Sequence, residues 1–65
     1  MNVGKSLKKA LLETGKTQLD MASDLGVHPV LLNRHFNSEH INTQTISIYS
    51  NYFNIKVSEL IALGE

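Results

Sequence analysis

Residues 17–37, TQLDMASDLGVHPVLLNRHFN, decide the fold of this chain. Two of them are tightly constrained by geometry: Ala22 and Gly26, four positions apart in a run built on a helical period. Where two helices cross steeply, the first needs a small residue at the point of closest backbone approach, and Ala22 stands there. Where the chain leaves that helix abruptly, the C′ residue adopts the left-handed conformation, which costs least for glycine; Gly26 supplies it. Met21, Leu25, Val27 and Leu32 fall on the side that two such helices share, while Gln18, Asp20, Ser23, Asp24, Asn33 and Arg34 fall outward.

The second helix of this pair has its own start signal. Pro29 suits the first helical position, where a missing N–H does no harm and φ is already set. His28 is then the N-cap, in place of the better-capping Ser, Thr, Asp or Asn, which suggests a further use for the imidazole. This second helix runs over about residues 29–36. Towards the N-terminus, Thr17 caps the first helix of the pair, with Asp20 at the capping-box position. Asn2 caps an earlier helix that reaches about Thr14 and ends at Gly15, with Val3, Leu7, Ala10 and Leu11 on one face and Lys5, Lys8 and Lys9 mostly on others. Towards the C-terminus, residues 37–42 form a polar connection. A helix over about 43–53 follows, with Ile46, Tyr49 and Phe53 as its inward stripe, then a short helix over about 57–63. Ile48, Ser50 and Tyr52 alternate in a way that also suits a β-strand, so two architectures stand open: an all-α domain of five helices, or an α+β domain with a sheet in its C-terminal half. No repeat, linker or low-complexity segment interrupts the pattern, and residues 1–65 read as a single domain.

Composition bounds what such a chain does. With 65 residues there is room for one small core, and domains of this size bury only roughly 60% of the surface their unfolded chains expose. There is no cysteine, so helix packing alone stabilises the fold, a composition that suits a reducing cytoplasm. No apolar run approaches the roughly 20 residues of a membrane span, and the N-terminus lacks the apolar stretch of a signal peptide; the expectation is a cytoplasmic protein. Six Lys and Arg against six Asp and Glu give a formal net charge of zero, but the distribution is uneven. Through Asn37, Lys5, Lys8, Lys9, Lys16 and Arg34 outnumber Glu13, Asp20 and Asp24, whereas from Ser38 onward Glu39, Glu59 and Glu65 outnumber Lys56.

Thr17, Gln18, Ala22, Gly26 and Val27 together resemble the helix-turn-helix of the lambda-repressor and Cro family of phage and bacterial regulators, also called XRE-type. The resemblance covers nearly the whole chain. Phe53-Asn54-Ile55 is similar to the family's leucine-glycine-valine turn, with Asn54 standing for glycine because asparagine tolerates the left-handed conformation. Glu59-Leu60 is similar to the acidic-leucine pair that opens its fifth helix. Two positions depart from the pattern: His35 stands where the family has an aliphatic residue, and Leu31 where it has a polar one. A small rotation of the helix, bringing Leu31 into the core and letting Phe36 make the contact that His35 does not, reconciles them.

A helix-turn-helix docks its second helix in the DNA major groove, with N-terminal residues at base edges, while the helix before it crosses the backbone. With Leu32 inward, His28, Pro29, Val30, Asn33, Arg34 and Asn37 lie on the outward arc. Arg34 suits guanine O6 and N7, Asn33 suits adenine, and Val30 suits a thymine methyl. The resemblance implies a phosphate contact from Gln18, near the N-terminus of the first helix of the motif. It implies neither a metal nor another cofactor. His28, His35 and His40 lack the cysteine or clustered carboxylate partners of a metal site, no small-molecule ligand is evident, and a Ser, His and Asp triad has no evident pocket to act in, so no enzyme is expected. The expected partner is double-stranded operator DNA, bound by a homodimer. Ile48, Tyr52, Ile61 and Leu63 cannot all enter one small core alongside Ile46, Tyr49, Phe53, Ile55 and Leu60, and family members often dimerise through this region. The resemblance implies a sequence-specific transcriptional regulator of the Cro or repressor type. The alternative is a protein-binding module, such as a partner-dependent antitoxin or an adaptor, which the neutral net charge keeps in play.

Overall fold

Capping sets the helix boundaries in the computed structural model, which describes residues 2–65. Helix α1 (Val3–Thr14) begins where Asn2 Oδ1 accepts from the Lys5 N–H at 3.0 Å. In α2 (Gln18–Leu25) the capping box is complete: Thr17 Oγ1 accepts from the Asp20 N–H and Asp20 Oδ2 from the Thr17 N–H, both at 3.1 Å. Two of the N–H groups orphaned at that helix end are thereby satisfied. Helix α3 (Pro29–Phe36) carries proline at its start, and α4 (Thr43–Phe53) begins where Asn42 Oδ1 accepts from the Thr45 N–H at 2.8 Å. In α5 (Val57–Ala62), Glu59 reaches back to the Lys56 N–H at 3.2 Å.

Helices α2 and α4 end alike. At Gly26 (φ 68°) and Asn54 (φ 57°) the chain turns left-handed. The following amides, Val27 and Ile55, then return to the carbonyls of Ala22 and Ser50 at 3.0 Å each. This is the Schellman closure, which satisfies otherwise orphaned carbonyls.

Helix α1 is the element on which the others assemble: it packs against α3, α4 and α5, while α2 packs against α3 and α4 against α5. Val3, Leu7, Ala10 and Leu11 of α1 meet Met21 and Ala22, Leu32 and Phe36, Ile46 and Tyr49, and Leu60 in one core. Leu7, Met21 and Leu32 are fully buried; removing such a side chain from water stabilises by about 1.5–3 kcal/mol. The start of α1 is tied to the connection after α3, because the Val3 and Gly4 amides donate to the carbonyls of Glu39 (3.1 Å) and Ser38 (2.8 Å). That close approach needs glycine, since a Cβ on Gly4 would stand 2.9 Å from the Ser38 oxygen and closer still to that of Phe36.

The architecture is all-α, and no strand occurs among the described residues. The sheet alternative for the C-terminal half is thus overturned: Ile46, Tyr49 and Ser50 are buried at helical spacing, and the Asn42 cap starts the helix. Helix α5 ends at Ala62, one residue before the expected Leu63. The rotation expected of α3 does not occur. Leu31 is 39% exposed, whereas Leu32 and Phe36 are inside, because with those two residues (i, i+4) facing the core, Leu31 is turned about 100° away. Phe36 does take the core position expected of it. The surplus apolar side chains near the C-terminus are partly accommodated: Tyr52 and Leu63 pack on the core and Ile61 is half-buried, leaving Ile48 the most exposed of the four at 54%. Leu12 (81%) and Leu19 (67%) are more exposed than any of these. No helix among the described residues is long and apolar enough to cross a membrane.

Candidate nucleic-acid interface

Local rules orient α3. The Schellman turn at Gly26 sends the chain away from α2, and two residues later His28 and Pro29 open the next helix. His28 Nδ1 accepts from the Val30 N–H at 3.1 Å, so the imidazole does act as the cap. An Nδ1 that accepts carries no proton, which places the ring proton on Nε2. Leu32 and Phe36 then anchor the helix to α1 and α2, and of the residues between them Asn33 and Arg34 face outward while His35 is half-buried.

His28, Pro29, Val30, Asn33, Arg34 and Asn37 are all exposed, Val30 at 61%. These six share one element and its two caps, as the spacing predicted. The Arg34 guanidinium enters no ion pair or side-chain hydrogen bond among the described residues, where the sole ion pair is Lys16 with Asp24. Asn37 is less free than expected: its Nδ2 donates to the Asn33 carbonyl at 2.9 Å and to Asn33 Oδ1 at 3.3 Å. It buttresses Asn33, leaving the Asn33 Nδ2 and one lone pair of its Oδ1 for a partner. Gln18 is the first residue of α2 and half-buried, at the helix end where N–H groups face outward.

Charge is redistributed by contacts that the sequence did not disclose. Lys16 Nζ lies 3.1 Å from Asp24 Oδ2, the same oxygen accepts from the Tyr52 hydroxyl at 2.7 Å, and the ammonium stands 5.5 Å above the Tyr52 ring. The Tyr52 hydrogen bond and the Lys16 contact hold the Asp24 carboxyl below its ordinary pKa, and Asp24 in turn raises that of Lys16. Lys16 is therefore engaged in a surface pair, and among the described residues Lys5, Lys8, Lys9 and Arg34 are the cations of the N-terminal half outside any ion pair.

The three histidines are dispersed in role. His28 caps α3, His35 faces Tyr49 of α4, and His40 is exposed in the α3–α4 connection. His35 Nδ1 and the Tyr49 hydroxyl are 2.5 Å apart, with the rings edge-to-face at 5.7 Å. Burial, and then the neighbouring Arg34 charge, push the His35 pKa down, while burial pushes that of Tyr49 up. One sequence signal pointed to this pair: a polar residue on the inward side of α3 requires a partner, and Tyr49 was the hydroxyl-bearing member of the α4 stripe.

No protein-family model, curated protein or solved structure matches this chain.

Proposed function

We propose that the chain is a sequence-specific double-stranded-DNA-binding regulator of the lambda-repressor and Cro type, a phage or bacterial cytoplasmic protein that occupies an operator as a dimer and blocks transcription there. The observation that carries this reading is the outer face of α3. It presents a guanidinium unpaired among the described residues, a buttressed carboxamide and an exposed valine on a helix whose opposite side is locked in the core. Those groups match guanine, adenine and the thymine methyl, and α2 lies before them as the helix that crosses the backbone. Lys5, Lys8 and Lys9 add positive charge, but few cations mean few phosphates neutralised and a modest non-specific affinity. Two subunits supply the remainder, their recognition helices meeting successive major grooves about 34 Å apart. Ile48 and the shallow groove between α1 and α5, lined by Glu13, Ile55, Glu59, Ala62 and Leu63, offer the surface for self-association.

A selection of random-sequence duplexes with the purified chain tests the reading. An enriched sequence, ideally pseudo-palindromic, supports it, and equal binding of all duplexes or of none at low salt refutes it. A protein-binding module is the second reading, favoured by the zero net charge and by the exposed Leu12 and Leu19.

A further inference from the structure

Helix α3 meets α1 and α2 through apolar contacts, which tolerate small rotations because they have no direction, and residues 38 and 39 just beyond it are tied to the start of α1 by backbone bonds. Its single side-chain hydrogen bond to another helix, among the described residues, is the one between His35 and Tyr49. Tyr49 is 3% exposed, and its hydroxyl has no second partner among the described residues. A buried hydroxyl proton without an acceptor is costly, so the Tyr49 O–H donates and His35 Nδ1 accepts. That assignment leaves the imidazole neutral, with its proton on Nε2.

We propose that His35 and Tyr49 are a positioning pair that holds the C-terminal half of α3 at a set rotation against α4, and that acid releases it. A protonated Nδ1 can no longer accept, so the Tyr49 hydroxyl must turn to receive the Nδ1–H on its oxygen, and its own proton is left without an acceptor. The surroundings leave the added charge uncompensated. Arg34, the adjacent residue of α3, is itself cationic; α4 presents only the Tyr49 hydroxyl; and α1, α2 and the α3–α4 connection place no carboxylate in ion-pair distance of His35 among the described residues. Burial and Arg34 accordingly hold the His35 pKa below the ordinary imidazole value. For DNA, the consequence rests on the reading of α3 given above. Arg34 and Asn33 precede His35 directly, and a displacement of about 1 Å takes a donor out of the 2.7–3.2 Å hydrogen-bond window. Releasing the pair thus degrades base discrimination, even though an added positive charge favours phosphate.

The test has an arm without DNA and an arm with it, both on the full chain between about pH 8 and about pH 5. Long-range ¹H–¹⁵N spectra should show His35 as the Nε2–H tautomer at the upper end. On acidification, amide protection at residues 35–38 should fall as His35 protonates, and His35→Gln, whose carboxamide accepts a hydrogen bond but does not titrate, should abolish that local loss. Tyr49→Phe should show the reduced protection already at neutral pH. With DNA, the preference for a selected duplex over a scrambled one should fall about tenfold on acidification, fall similarly in Tyr49→Phe at neutral pH, and stay flat with pH in His35→Gln. An Nδ1–H tautomer, or a pH profile that His35→Gln leaves unchanged, overturns the proposal. If Tyr49→Phe does not fold, the tautomer and His35→Gln still decide. If no duplex is selected, the DNA reading fails, while the spectra and amide protection still decide for or against the pair.

Discussion

Gly4→Ala provides a sharp test of the packing, because local and tertiary reasoning predict opposite signs. Within a helix, replacing glycine by alanine stabilises by about 1 kcal/mol, since glycine loses more backbone freedom on folding. Gly4, however, lies under the α3–α4 connection, where a Cβ would stand 2.9 Å from the Ser38 oxygen and closer to that of Phe36. Both obstacles are backbone, so neither can swing aside as a side chain would. Overpacking of this kind costs about 1–3 kcal/mol. Separating the segments also stretches the Gly4–Ser38 and Val3–Glu39 hydrogen bonds, each worth about 1 kcal/mol. With the propensity gain offsetting part of this, a net destabilisation of about 2–4 kcal/mol is expected. In a domain of this size each kcal/mol moves Tm by about 4–8 °C, so a fall of roughly 8–30 °C should appear by circular dichroism. Urea titration at fixed slope supplies the free energy, and Lys9→Ala, at an exposed site on the same helix, should stay within about 0.5 kcal/mol of the parent. A Gly4→Ala chain as stable as the parent, or more so, would refute the close approach between α1 and the α3–α4 connection.

Three further outcomes are expected. Arg34→Ala should cost roughly 1–3 kcal/mol on the selected operator and relax preference at one base pair per half-site, whereas Gln18→Ala should weaken all duplexes alike; titration against single-base variants separates the two patterns. Ile48→Asp should weaken self-association and operator binding together while leaving helical content intact, because its side chain is 54% exposed and outside the core; unchanged sedimentation would move the interface elsewhere. Asp24→Asn should flatten the acid limb of the stability profile. The Tyr52 and Lys16 contacts lower the Asp24 pKa in the folded chain, so their contribution is present above the ordinary carboxylate pKa and is lost as pH falls through the lowered value; an identical acid limb in urea melts of the variant would show that the contacts contribute nothing.

The features legible in the sequence are those whose causes lie within about five residues. Asn2 and Thr17 cap helices by accepting from amides three positions on, Asp20 accepts from the amide three positions back, and Gly26 and Asn54 end helices through conformational preferences of their own. Such signals survive in a bare string of letters, which is why the helix boundaries and the outward arc of α3 could be placed from it. The phase of α3 was harder, because Leu31 and Leu32 are chemically alike and only the position of α1 and α2 selects which one is buried.

The letters of the chain alone therefore settle the first three helices, the caps at Asn2, Thr17 and His28 and the outward set His28, Pro29, Val30, Asn33, Arg34 and Asn37, and leave the C-terminal half open between helix and strand. The tertiary structure decided what those residues and their neighbours are held by. Tyr49 lies 14 positions from His35 and Tyr52 lies 28 from Asp24, yet each pair shares a hydrogen bond. Gly4 owes its constraint to the backbone of Phe36 and Ser38, on the far side of two helices. Contacts of this kind carry no periodic or capping signature, because they arise only when separate helices are brought together by the burial of a shared apolar face, which favours contact but does not specify partners.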